Sequence, residues 1–165
     1  MNIARCFKHL LTPPWLAARR FGPALVAEIG AAVEVAEAGQ RGEIRFVVEG
    51  PLPFADLRHD RTARQRAADL FGRLGIWDTE GNSGVLIYVQ LVDRQVEILA
   101  DRGIAAKVPQ AEWEAICRAM EAAFRAGDYR TGALAAIRRA GDLLAEHFPV
   151  ADGNPNELPD QPLVM

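Results

Sequence analysis

Cysteine is scarce in this chain of 165 residues: only Cys6 and Cys117 occur, and neither belongs to a C-x-x-C pair. Two isolated thiols make no disulfide framework, so a reducing compartment is expected. Long hydrophobic runs are also missing. The longest, Val85 to Val92, is interrupted by Gln90 and falls well short of the roughly 20 apolar residues of a membrane-spanning helix. Leu10-Leu11, between Lys8 and Pro13-Pro14, is too short for the apolar region of a signal peptide. The expectation is a cytoplasmic protein with no integral membrane segment. A basic excess is lacking too: 19 Lys and Arg against 22 Asp and Glu give a formal net charge of −3, which argues against a nucleic-acid binder.

Catalytic signatures are equally sparse. The chain contains no G-x-G-x-x-G, no G-x-x-x-x-G-K-[ST] and no G-x-S-x-G. Neither cysteine precedes an arginine at cysteine-phosphatase spacing, since Cys6 is followed there by Thr12 and Cys117 by Ala123. Cys117 instead lies on an apolar helical stripe, as a small buried hydrophobe would. The three histidines, His9, His59 and His147, are scattered.

What is present is ordinary globular composition, 50% hydrophobic and 25% charged, enough for one domain. Charge divides it into three parts. Residues 1–22 form a basic N-terminal arm, with Arg5, Lys8, Arg19 and Arg20 ahead of the first acid, Glu28. Residues 23–148 carry the periodic patterns of an α/β domain. Residues 149–165 are rich in Pro, Asn and Asp and are expected to be an acidic, disordered tail. Trp15 and Phe21 of the arm could touch an acidic membrane surface, but Pro13-Pro14 breaks the stretch, and packing of both rings onto the domain is the expectation.

Pro23 to Ala38 spaces Leu25, Ile29, Val33 and Ala36 as a helix does. Gly42 to Glu49 alternates as a strand with one face buried, near a sheet edge. Thr62, with Gln65 three residues on, opens a second helix as a capping box. Val85 to Leu91 reads as a central strand apolar on both faces, and Asp93-Arg94 turns it into a further strand, Gln95 to Ala100. Two more helices follow, one behind Pro109 and one capped by Asp128. The order predicts a short mixed sheet covered by helices.

The polar groups gather around the central strand. Asp78, Glu80 and Asn82 place oxygen donors at alternate positions of a glycine-bearing loop, a spacing able to wrap a hard cation such as Ca²⁺. It is not an EF-hand, because Ser83 and Val89 stand where that loop needs Gly and Glu. A solvated turn is the alternative. Asp101 and Arg102 at the next strand's end could supply a further metal ligand and an anion clamp, or be a surface pair. Glu43 could join as an accessory group if its strand lies beside the central one.

The segment Trp77 to Ile104, with Asn82-Ser83-Gly84-Val85-Leu86-Ile87, Asp93-Arg94, Val96-Glu97-Ile98 and Asp101-Arg102-Gly103-Ile104, resembles the TPM domain, or TPM phosphatase, family. Phe124 to Gly132 resembles that family's link into its last helix. The resemblance implies a three-layer α/β/α sandwich, a divalent-cation site beside the loop, and weak phosphatase activity of the kind reported for one plant lumenal relative. The family's opening Asp before the first helix is missing here, which removes one candidate ligand. Two functions follow as expectations: a cation-binding domain with at most weak, metal-dependent phosphomonoesterase activity, or a non-catalytic module that binds an unidentified protein partner. No organic cofactor is implied.

Overall fold

Val85-Leu86-Ile87 is apolar on both faces because its strand is interior to a sheet covered by helices on both sides. The computed structural model describes residues 2–149 and 156–165. Its elements are α1 (Ile3–Leu11), α2 (Leu16–Arg20), α3 (Pro23–Glu37), β1 (Glu43–Glu49), α4 (Phe54–Arg58), α5 (Ala63–Arg73), β2 (Gly84–Gln90), β3 (Gln95–Ala100), α6 (Arg102–Ala105), α7 (Gln110–Arg125), α8 (Tyr129–His147) and β4 (Leu163–Val164). The sheet order is β3-β2-β1-β4. β1 pairs parallel with β2 and β4, and β2 pairs antiparallel with β3.

Alternate residues of each strand serve the two faces. Ile44, Phe46, Val48, Val85, Ile87 and Val89 join the core that includes Ile29 and Val33 of α3, Trp113 and Met120 of α7, and Ile137 of α8. Val47, Leu86 and Tyr88 meet Ala63, Ala67 and Leu70 of α5 on the other face. Fully burying each large aliphatic or aromatic side chain contributes about 1.5–3 kcal/mol, so both helical layers are held by apolar burial. The architecture is the expected three-layer α/β/α sandwich.

The ends of the elements follow local chemistry. Thr62 and Gln65 form the expected capping box, with Gln65 N–H donating to Thr62 Oγ1 (3.1 Å) and Thr62 N–H to Gln65 Oε1 (3.0 Å). Asp128 caps α8 by accepting from Thr131 N–H at 3.0 Å.

Three expectations need correction. β1 is buried on both faces rather than one: six of its seven residues are buried between the helical layers, and the two-residue β4 pairs with Val47 and Val48 on its outer side. Residues 156–165 are not disordered. Leu158 is buried, Met165 N–H donates to Val48 O (2.8 Å), and Arg45 Nη1 donates to the Pro159 and Gln161 carbonyls at 2.6 and 2.5 Å. A two-residue strand has no periodicity of its own; partners more than a hundred residues away hold it. Residues 150–155 of that expected tail lie outside the described residues. In the basic arm, finally, Phe21 packs as expected, 5.7–6.2 Å from the rings of Phe46, Phe124 and Tyr129, but Trp15 stays 55% exposed. Among the described residues no helix is long and apolar enough to cross a membrane.

Candidate cation site at the end of the third strand

The ladder itself assembles this region. β2–β3 pairing runs from Gln90–Gln95 to Val85–Ala100, and one step further Asp101 N–H donates to Gly84 O at 2.9 Å. On the other flank Glu43 stands opposite Gly84, and Glu43 N–H donates to Ser83 O at 3.0 Å. Glu43, Gly84 and Asp101 therefore form one row across three strands. The loop before Gly84 folds around buried Thr79, whose Oγ1 accepts from Ser83 N–H (2.9 Å) and whose carbonyl accepts from Asn82 N–H (3.1 Å).

Two glycines let the backbones approach. A Cβ on Gly84 would lie 2.0 Å from Ile76 O, and one on Gly103 would lie 2.6 and 2.7 Å from the Asn82 and Gly81 carbonyl oxygens. Asn82 itself adopts φ 48°, the left-handed conformation that Asn tolerates better than most residues.

The predicted ligands separate into two groups. Asn82, Asp101 and Arg102 come together: Arg102 Nε donates to Asn82 Oδ1 at 2.8 Å, and Gly103 N–H donates to Asn82 O at 3.2 Å. Asp101 is the N-cap of α6, accepting from Arg102 N–H through Oδ1 at 2.7 Å. Asp78 and Glu80 are exposed, and Glu80 N–H donates to the Glu157 carboxylate at 3.1 and 3.3 Å. Among the described residues no three His, Cys, Asp or Glu side chains are grouped so as to hold a metal, so Asp78, Glu80 and Asp101 do not make a three-carboxylate cage. Glu43 is fully buried, and its Oε2 accepts from Leu158 N–H at 3.1 Å.

For a cation, the fit is good at one point and poor at another. Asp101 Oδ2 and Ser83 Oγ are both buried without a hydrogen-bond partner. A buried carboxylate oxygen left unpaired is costly, and a cation relieves that cost. Asn82 Oδ1, by contrast, is occupied by the Arg102 guanidinium, whose charge repels a metal placed there. Asp101 also lines a cleft of about 280 Å³ with Arg64, Gln110 and Trp113. The buried Trp113 Nε1 is a third polar atom without a partner, on another residue that lines this cleft.

Other polar clusters were invisible in the sequence. Glu49 accepts from Arg66 Nη2 at 2.7 Å and from Tyr88 OH at 2.6 Å in a buried network. Burial, then the Glu49 charge, pushes the Tyr88 hydroxyl far above its ordinary range. Burial likewise raises the Glu37 carboxyl to about 8; an Ile44 N–H bond opposes this, while Glu43 and Asp160 add to it. A cavity of about 220 Å³ at the opposite end of β2, lined by Arg20, Arg94 and Arg125, shares no residue with the loop. It has no unpaired buried atom to set beside Asp101 Oδ2, so the loop end remains the candidate.

A sequence model of the TPM domain matches residues 17–143. The solved structure of the BA42 protein from the psychrophilic bacterium Bizionia argentinensis is similar, with 30% identity and TM-score 0.75, over 86% of this chain and 93% of that one. The N-terminal domain of a protein from P. gingivalis shares the fold at 17% identity and TM-score 0.64, covering 79% of this chain and 82% of that one. No functionally curated protein matches the chain.

Proposed function

The chain belongs to the TPM domain family, and from that premise we propose that it binds a divalent cation at Asp101 and has at most weak phosphomonoesterase activity. The observation that carries this reading is Asp101 Oδ2, a buried carboxylate oxygen without a hydrogen-bond partner. A bound divalent cation such as Ca²⁺ supplies Lewis-acid polarisation of a phosphoryl oxygen and lowers the pKa of coordinated water. Asp101 holds the cation, and exposed Asp78 and Glu80 add negative charge around the loop. Arg102 donates only Nε to Asn82, leaving its terminal N–H groups for an anionic oxygen. Glu43 is an accessory group that ties the chain's end to this corner.

A second reading, an interaction module without catalysis, is favoured by the structural employment of the predicted ligands. Asn82 clamps Arg102, Asp101 caps α6, and the Glu80 amide binds Glu157.

Asp101→Asn discriminates well, because Asn still serves as an N-cap while the charge is lost. Calcium at millimolar concentration should raise the melting temperature of the native protein by mass action, and the variant should lose that rise. An unaltered rise in the variant, or none in the native protein, would refute the site. Equal hydrolysis of p-nitrophenyl phosphate with and without chelator would refute metal-dependent turnover.

A further inference from the structure

α1 carries an apolar stripe that nothing in the fold covers. Ile3, Phe7, Leu10 and Leu11 are 63%, 62%, 63% and 79% exposed. At 3.6 residues per turn these four positions fall within an arc of about 100°. Trp15, which leads into α2, and Phe54, on the neighbouring α4, are exposed as well. Six of the large exposed hydrophobic side chains thus belong to α1 and the segments next to it, whereas surface apolar residues needing no explanation are scattered singly.

The helix cannot roll over to hide this stripe, because its other side is pinned. Arg5 donates to Asp93 Oδ2 from Nε (2.9 Å) and Nη2 (2.7 Å), and His9 bridges Asp93 Oδ1 (3.0 Å) and Leu52 N–H (2.9 Å). The charge around the stripe is one-sided. Asp56 pairs with Arg61 and Arg66, and Asp60 and Asp93 both pair with Arg5, so each of these local carboxylates is ion-paired. Lys8 and Arg58 are exposed with no carboxylate partner among the described residues, and Arg19 lies over the Trp15 ring at 5.7 Å.

We propose that this face, α1 with Trp15, docks reversibly on an anionic lipid bilayer surface, a function separate from the loop site. Its chemistry matches that occupant. The aliphatic and Phe side chains enter the acyl boundary, the indole sits at the headgroup level, and Lys8 and Arg19 meet lipid phosphates. A second copy fits less well, since a two-fold contact through the stripe would bring Lys8 near its own symmetry mate. One short helix gives weak, salt-sensitive attachment rather than insertion.

The test is flotation of the full chain with phosphatidylcholine vesicles, with and without phosphatidylglycerol. The protein should float with the anionic vesicles and be released by high salt. Phe7→Ser combined with Leu11→Ser should abolish flotation, and Lys8→Glu with Arg19→Glu should reduce it to the level of neutral vesicles. Val35→Ser, an equally exposed change on α3, should leave it intact. In a Trp77→Phe background, where the remaining Trp113 is buried, the exposed Trp15 should shift the emission to the blue on binding, a readout independent of flotation. No flotation with anionic vesicles, or flotation that survives the double serine change, overturns the proposal. So does a concentration-dependent dimer abolished by that double change in a protein that binds no vesicle, which would assign the face to a second copy.

Discussion

His9 Nε2 lies 3.0 Å from Asp93 Oδ1, a bond across 84 residues that fastens the first helix to the β2–β3 turn. The other ring nitrogen, Nδ1, accepts from Leu52 N–H, so the proton resides on Nε2 and is donated to the carboxylate. With Arg5 held on the same carboxylate, a residue that reads as a simple hairpin turn becomes the anchor of the first helix.

Asp93→Asn should therefore destabilise the protein by about 2–4 kcal/mol, the range for breaking one partner of a largely buried charge cluster. Burial raises the Asp93 carboxyl, but the hydrogen bonds from Arg5 and His9 outweigh it and hold the group below its ordinary value of 3.8. The folded pKa is depressed, so this stability is complete above the unfolded value and is lost as pH falls through the folded one. Urea titrations at neutral and acidic pH measure both effects. The variant should be weaker at neutral pH and less acid-sensitive, and equal midpoints at neutral pH would contradict the anchor.

Glu37 should produce the opposite slope. Its carboxyl is raised from 4.5 to about 8, by burial first, with Glu43 and Asp160 adding to it. The folded state thus binds an extra proton between those values, and stability falls as pH rises across that window. Glu37→Gln keeps a hydrogen-bonding group of similar shape without the titration. Melting curves from about pH 4.5 to about pH 8 should slope downward for the native protein and be flatter for the variant. Parallel curves would show that Glu37 is not the titrating group.

Glycine substitutions should divide sharply by position. Gly84→Ala and Gly103→Ala place a methyl against backbone carbonyl oxygens at 2.0 and 2.6 Å, where nothing flexible can give way. Each should cost more than about 2 kcal/mol, and Gly84→Ala is expected to compromise folding. Gly72, within α5, has nothing within 4 Å, and Gly72→Ala should stabilise by about 0.5–1 kcal/mol. Thermal denaturation of the three variants checks the order, and a neutral Gly103→Ala would mean the loop can retreat from α6.

Much of the architecture was legible from local pattern. The five apolar residues Val85 to Val89, the capping pair Thr62 and Gln65, the Asp128 cap and the Asp93-Arg94 reversal each locate an element, because propensity and capping act over a few residues. The candidate site was legible only in part. The hairpin register makes the meeting of Asn82 with Asp101 and Arg102 foreseeable, since a turn fixes which strand positions face each other. The exposure of Asp78 and Glu80, and the Arg102–Asn82 bond, depend on loop conformation, which alternating oxygen donors do not specify.

The order of the seven principal elements, α3, β1, α5, β2, β3, α7 and α8, the two-faced burial of β2 and the family resemblance were thus determined by the sequence itself, through short-range periodicity and recognisable motifs, whereas the short α1, α2, α4 and α6 were not foreseen. Tertiary structure alone decided that Leu163-Val164 would complete the sheet and that Asp93 would hold α1. It also decided that Asp101 Oδ2 would be buried without a partner and that the stripe on α1 would remain outside. Those outcomes join residues distant along the chain. A hydrogen bond or a lost solvent contact has no signature in either partner's own neighbourhood, only in the arrangement that brings the two together.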